Sequence, residues 1–198
     1  MRSKTPLTVT ILGGIAALAL AGCNNNTGGT AGPSPSSTTA TAGTSTAVAN
    51  PLDTTKLQQN LCTGLTAAQL TPYVGQVKNT SSVNKTDYSG CDMFPTDVHM
   101  AAVSVNVYPN TTPSAMIAAN SNFPYSKNLA PIQGYTARDT SLLPQPQGKC
   151  ATAVAVADHV VVEVEVEQSD ASSQYYNNTC AASEALVTTL VGNLKASG

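Results

Sequence analysis

Apolar and polar side chains alternate over two long stretches, and these set the expected architecture. From Val160 to Glu167, Val160, Val162, Val164 and Val166 take every second place, with Val161, Glu163, Glu165 and Glu167 between them. A period of two is that of a β-strand with one face on a core, which predicts that the glutamates face solvent. Cys150 to Ala157 precedes it as a second strand, and Asp158-His159 between the two reads as a hairpin turn. Val98 to Tyr108 forms a third strand, with Ala101, Val103, Val105 and Val107 on the buried face and Pro109 ending it. Val83 to Met93 reads as a strand leading into Cys91, and Gln133 to Arg138 as a short one.

Helical spacing appears in three places. Thr66-Ala67-Ala68-Gln69 is a capping box, with Leu65 and Leu70 placed as its hydrophobic staple, and Pro72 and Gly75 keep that helix short. Thr112-Pro113 reads as the N-cap and first turn of a helix to about Asn120, with Met116, Ile117 and Phe123 as its apolar contacts. Leu186, Val187, Leu190, Val191 and Leu194 form a 3–4 spaced stripe on a helix from Thr179 to Lys195. Helix, strands, helix, strands and helix in that order predict an α+β domain, an antiparallel sheet covered by helices.

The first 50 residues follow neither period. Arg2 and Lys4 precede the apolar run Leu7–Leu20, and the small residues Ala21 and Gly22 then lead to Cys23. These are the three parts of an export signal, and the 14-residue run falls short of the ~20 residues a membrane span needs. Leu20-Ala21-Gly22-Cys23 resembles a bacterial lipobox. The resemblance implies that Cys23 is lipidated and becomes the first residue after cleavage. Acyl chains contribute about 0.8 kcal/mol of membrane affinity per buried methylene, so two or three of them anchor a protein stably. Beyond Cys23, NNNTGGTAGPSPSSTTATAGTSTA carries no charge and no large apolar side chain. Such a tract cannot offset the entropy of ordering and reads as a tether. The expected organisation is a signal peptide at 1–22, a Ser/Thr/Pro/Gly tether at 23–50 and a single α+β domain at 51–198.

Charge and composition narrow the function. Cleavage removes Arg2 and Lys4, leaving seven basic against eleven acidic side chains and a net charge of −4. With no basic stripe, nucleic acid is not an expected partner. No tryptophan and only two phenylalanines are present, so the core falls to Val, Leu, Ala and Tyr. Cys62, Cys91, Cys150 and Cys180 make an even set in an exported chain and predict two disulfides. Of the three possible connectivities, Cys62–Cys91 with Cys150–Cys180 is favoured because each pair flanks one local unit. A metal site is not expected, since no pair has C-x-x-C spacing and no histidine follows at ligand spacing.

No residue pattern carries a catalytic signature. The Glu163, Glu165, Glu167 row has the ~7 Å spacing of alternate strand positions, and its simplest reading is a charged solvent face. His99 lies beside Asp97, and His159 in a turn, without a G-x-S-x-G elbow, a P-loop or a G-x-G-x-x-G. Tyr175-Tyr176 reads as packing over the core. No catalytic residue and no cofactor is therefore assigned.

The arrangement of Cys62-x-x-Leu65-Thr66 opening a helix, Cys91 before a strand and Cys180 opening a last helix, behind a lipobox and a Ser/Thr/Pro tether, resembles actinobacterial lipoproteins of the mycobacterial Lpr/Lpq type. These carry a four-cysteine domain of unknown function. The resemblance covers roughly residues 52–195, and Met93 stands where relatives usually carry an aromatic. It implies a protein anchored by lipid on the extracytoplasmic face of the cell membrane, with a tether open to O-glycosylation. The expected role is a non-catalytic binding or accessory module for an envelope ligand or protein partner. An envelope-polymer hydrolase and a ligand-free structural spacer are the alternatives.

Overall fold

A computed structural model describes residues 47–198 of the chain. The signal segment, Cys23 and most of the tether lie outside the described residues, and so does the lipidation read there. Among the described residues no helix is long and apolar enough to cross a membrane. Seven strands form one antiparallel sheet: β1 (Val77–Asn84), β2 (Ser89–Pro95), β3 (Ala102–Tyr108), β4 (Tyr125–Asn128), β5 (Ala137–Ser141), β6 (Lys149–Ala157) and β7 (Val160–Glu167). Their order across the sheet is β1-β2-β3-β7-β6-β5-β4. The helices are α1 (Thr55–Gln59), α2 (Ala67–Val74), α3 (Pro113–Asn120) and α4 (Thr179–Ser197), with a single 3-10 turn at Leu61–Thr63.

The sheet has two unequal faces. On the first, Val154, Val162, Val164 and Val166 lie fully buried beneath α4, and Val103 and Val105 of β3 are buried beside them on the side of α2 and the 3-10 turn. The α4 stripe of Leu186, Val187, Leu190, Val191 and Leu194 is the matching surface, as its spacing predicts. Leu57, Leu61, Leu65, Leu70 and Val74 extend this core through α1, the 3-10 turn and α2. Neither phenylalanine belongs to it: Phe94 and Phe123 are both among the exposed large side chains. The docked chain begins by Val48, whose N–H donates to Asp158 Oδ1 at 2.6 Å, while Asn50 C=O accepts from Tyr135 Oη–H.

Local signals account for most boundaries. Thr66 accepts from Gln69 N–H and Gln69 Oε1 accepts from Thr66 N–H, which completes the capping box. Gly75, at φ 64°, ends α2 in a conformation that side-chain-bearing residues rarely adopt. Thr66→Ala is expected to cost about 1 kcal/mol in urea denaturation; no shift in midpoint would mean that the cap is idle. Thr112 caps α3 through Ala115 N–H, with Pro113 in the first turn. Both disulfides have the favoured connectivity, with Cα–Cα distances of 5.2 Å for Cys62–Cys91 and 5.0 Å for Cys150–Cys180.

Several expectations need correction. Val83–Met93 is not one strand but the end of β1, a turn and most of β2. The third strand starts at Ala102 rather than Val98, because Met100 N–H closes a turn on Asp97 C=O. Gln133–Arg138 is mostly a turn, and the strand there is β5, displaced toward Ser141. Of the β7 glutamates Glu167 is exposed as expected, whereas Glu163 and Glu165 are half-buried on the sheet face on which α3 packs.

Candidate functional site

The second face of the sheet carries the groove. Cross-strand pairing lines up Gly90, Asn106, Glu163 and Ala153 in one row across β2, β3, β7 and β6. The next row is Asp92, Ser104, Glu165 and Ala151, and Lys149 pairs with Glu167 beyond it. α3 covers only one end of this face, where Met116 packs on Ala153, Ala155 and Val161. Eight residues of helix cannot span seven strands, so the remainder stays open.

Two connected hollows result. One is a chamber of about 340 Å³ under α3, walled by Met116, Ala119, Phe123, Leu142, Ala153 and Val161. The other is a shallower trough of about 680 Å³ over β2, β3 and β7, which includes Tyr88, Asp92, Ser104, Asn106 and Gln168. Tyr108, Lys149, Glu163 and Glu165 line both and mark the junction. An apolar recess with a few converging polar groups is the usual form of a small-molecule site.

The junction is densely hydrogen-bonded. Asn106 Nδ2 and Tyr108 Oη each donate to Glu163 Oε1 at 3.2 Å. Gly90 makes room for this: a Cβ there would lie 2.2 Å from Asn106 Oδ1. Tyr88 stacks on Tyr108 with ring centroids 5.2 Å apart. Lys149 Nζ lies 2.8 Å from Glu165 Oε1 and 3.0 Å from Glu167 Oε2. Ser104 Oγ donates to Asp92 Oδ1 at 2.7 Å. Burial holds the Glu163 carboxyl above the usual carboxylate range, and Glu165 is raised for the same reason. Burial and the neighbouring Glu163 hold the Tyr108 phenol protonated. Burial pulls the Lys149 ammonium down, but Glu165 and Glu167 more than offset it, so the net shift is upward.

Alternation located the glutamates on one face but could not reveal what converges on them. Asn106 and Tyr108 on β3 and Lys149 on β6 were missed because they lie on strands other than the β7 of the glutamates, and only register brings them together.

The other candidates lie elsewhere. His99 is exposed, with Nδ1 2.6 Å from Asp170 Oδ2, and Ser172 Oγ donates to the same carboxylate rather than to the imidazole. A nucleophilic serine needs its hydroxyl on the imidazole, which this cluster does not provide. His159 occupies the β6–β7 turn. Tyr175 packs on the core beside Tyr73, and its hydroxyl donates to Pro72 C=O. On the core face, the Asp139 carboxylate and the sulfurs of Cys150 and Cys180 lie within 4.8 Å of one another. Those sulfurs are bonded to each other, so they offer no thiolate to a metal.

A family model described as protein of unknown function (DUF3558) matches residues 18–193. The four-cysteine domain of unknown function that the sequence resembles is consistent with that match. No curated protein and no solved structure matches the chain.

Proposed function

The chain belongs to the DUF3558 family of unknown function, and from that premise we propose a binding module of the actinobacterial lipoprotein type. Lipid on Cys23 holds it on the extracytoplasmic face of the cell membrane, and the tether lets the domain reach a small envelope-derived ligand. The chamber between α3 and the sheet carries this reading, being a preformed apolar recess of about 340 Å³ that opens onto polar groups. The export signal, the Leu20–Cys23 segment and the two disulfides support the location.

Native mass spectrometry of the full chain, purified from its own envelope, tests both parts. The expected spectrum carries the acyl increment on Cys23 and a co-purifying small molecule. Ala153 lies on the chamber floor and is buried, so Ala153→Leu is expected to reduce the co-purifying mass at least tenfold and leave the acyl mass in place. Recovery of the wild-type chain with nothing bound would overturn the binding reading, and a Cys23 without lipid would overturn the anchor.

A further inference from the structure

The paired rows of β6 and β7 repeat the same side-chain position with one difference. Facing Glu167, Glu165 and Glu163 on β7 are Lys149, Ala151 and Ala153 on β6. At one end the protein supplies its own ammonium, and Lys149 Nζ bridges Glu165 and Glu167. At the other end, two alanines replace the long side chain, and the space they leave is part of the chamber. Glu163 stands at that end. Its two hydrogen bonds both reach Oε1, so among the described residues no donor is directed at Oε2. Arg138, the next cation on this face, is held away toward β4 by Ser126 and Asn128.

We infer that the chamber takes a small amphipathic amine, with its ammonium on Glu163 and its apolar part beneath α3. The inference rests on the binding-module reading and adds the charge and shape of the ligand. Charge complementarity carries it: Asp87, Glu163 and Glu165 line the chamber against the single cation Lys149, which is already engaged. Tyr108, stacked on Tyr88, lines the chamber beside Glu163 and fixes Oε1 through its hydroxyl. Glu163 is half-buried and its Oε1 is already engaged, which leaves Oε2 as the oxygen open to an arriving ammonium. Glycine at position 90 and asparagine at 106 serve the same end, since together they hold Oε1 and orient the carboxylate.

Three eight-carbon probes on the whole chain test this: octylammonium, octanol and octanoate. Binding is followed by calorimetry and by the shift of the ¹³C-labelled Met116 methyl, which lines the chamber. Octylammonium is expected to bind at least tenfold tighter than octanol, with octanoate weakest, and its advantage is expected to shrink as salt is added. Glu163→Gln is expected to abolish the advantage of octylammonium over octanol. The three-probe comparison on the unaltered chain needs no variant and stands if the variant misfolds. Equal binding of octanol and octylammonium would sink the amine while leaving an apolar site, and tighter octanoate would do the same. Failure of all three to move Met116 would overturn the inference, whereas the binding-module reading is decided separately by co-purification.

Discussion

Reduction of both disulfides is expected to unfold the domain. Each closes a loop, with sequence separations of 29 and 30 residues, and the loop-entropy estimate for that length is about 3.6 kcal/mol per bridge. Losing both removes about 7 kcal/mol, comparable with the ~5–15 kcal/mol total of an ordinary domain. The core is built from Val, Leu and Ala without Trp or Phe, so there is little aromatic burial to absorb the loss. Urea titrations with and without reductant measure the effect, and Cys150→Ala/Cys180→Ala isolates one bridge. That double variant is expected to lose about 3–4 kcal/mol. A loss below about 1 kcal/mol would show that the denatured chain is already restrained without the bond.

The second large effect concerns a carboxyl on the opposite face from the groove. Asp139 on β5 is fully buried, accepts from Thr152 Oγ1–H at 2.7 Å, and leaves Oδ2 without a partner. Burial raises its pKa to about 7; the Thr152 bond opposes this, and nearby Glu184 adds to it. A carboxyl with a raised folded-state pKa favours folding in its protonated form. Its contribution is complete below the unfolded pKa of ~3.9 and is lost as pH climbs to about 7. At pH 8 the buried charge is expected to cost on the order of 2–4 kcal/mol. Asp139→Asn keeps an acceptor for Thr152 and removes the charge. It is expected to stabilise the domain at pH 8 by that amount and to flatten the slope between pH 4 and 7. Parallel pH profiles for the two chains would refute the assignment.

What could be read in advance, and what could not, follows from the kind of burial each element has. β6, β7 and α4 announce themselves because one face or stripe is continuously apolar. The caps at Thr66 and Thr112 are equally legible, since their partners are three residues away. β1 reads Val-Lys-Asn-Thr-Ser-Ser-Val-Asn and is exposed almost throughout, so as an edge strand it has no buried face to reveal it. β5 fails for the opposite reason. Ala-Arg-Asp-Thr-Ser is buried at every position, yet four of its five side chains are polar, with Arg138 held by Ser126 and Asn128 of β4 and Asp139 Oδ1 by Thr152 of β6. The groove was misread because alternation separates two faces without stating what stands over the second. Gly90, placed beside Asn106 by strand register, is the residue whose importance only the folded arrangement displays.

One consequence concerns the order in which the molecule can be assembled. α4 follows all seven strands in the chain, and it is the lid on the valines of β6 and β7. A polypeptide leaving a ribosome or threading a translocation pore from its amino end therefore has its sheet outside before its cover arrives. During that interval Cys62 and Cys91 can join, but Cys150 must wait for Cys180, and an oily surface stands open to any chaperone or neighbouring chain.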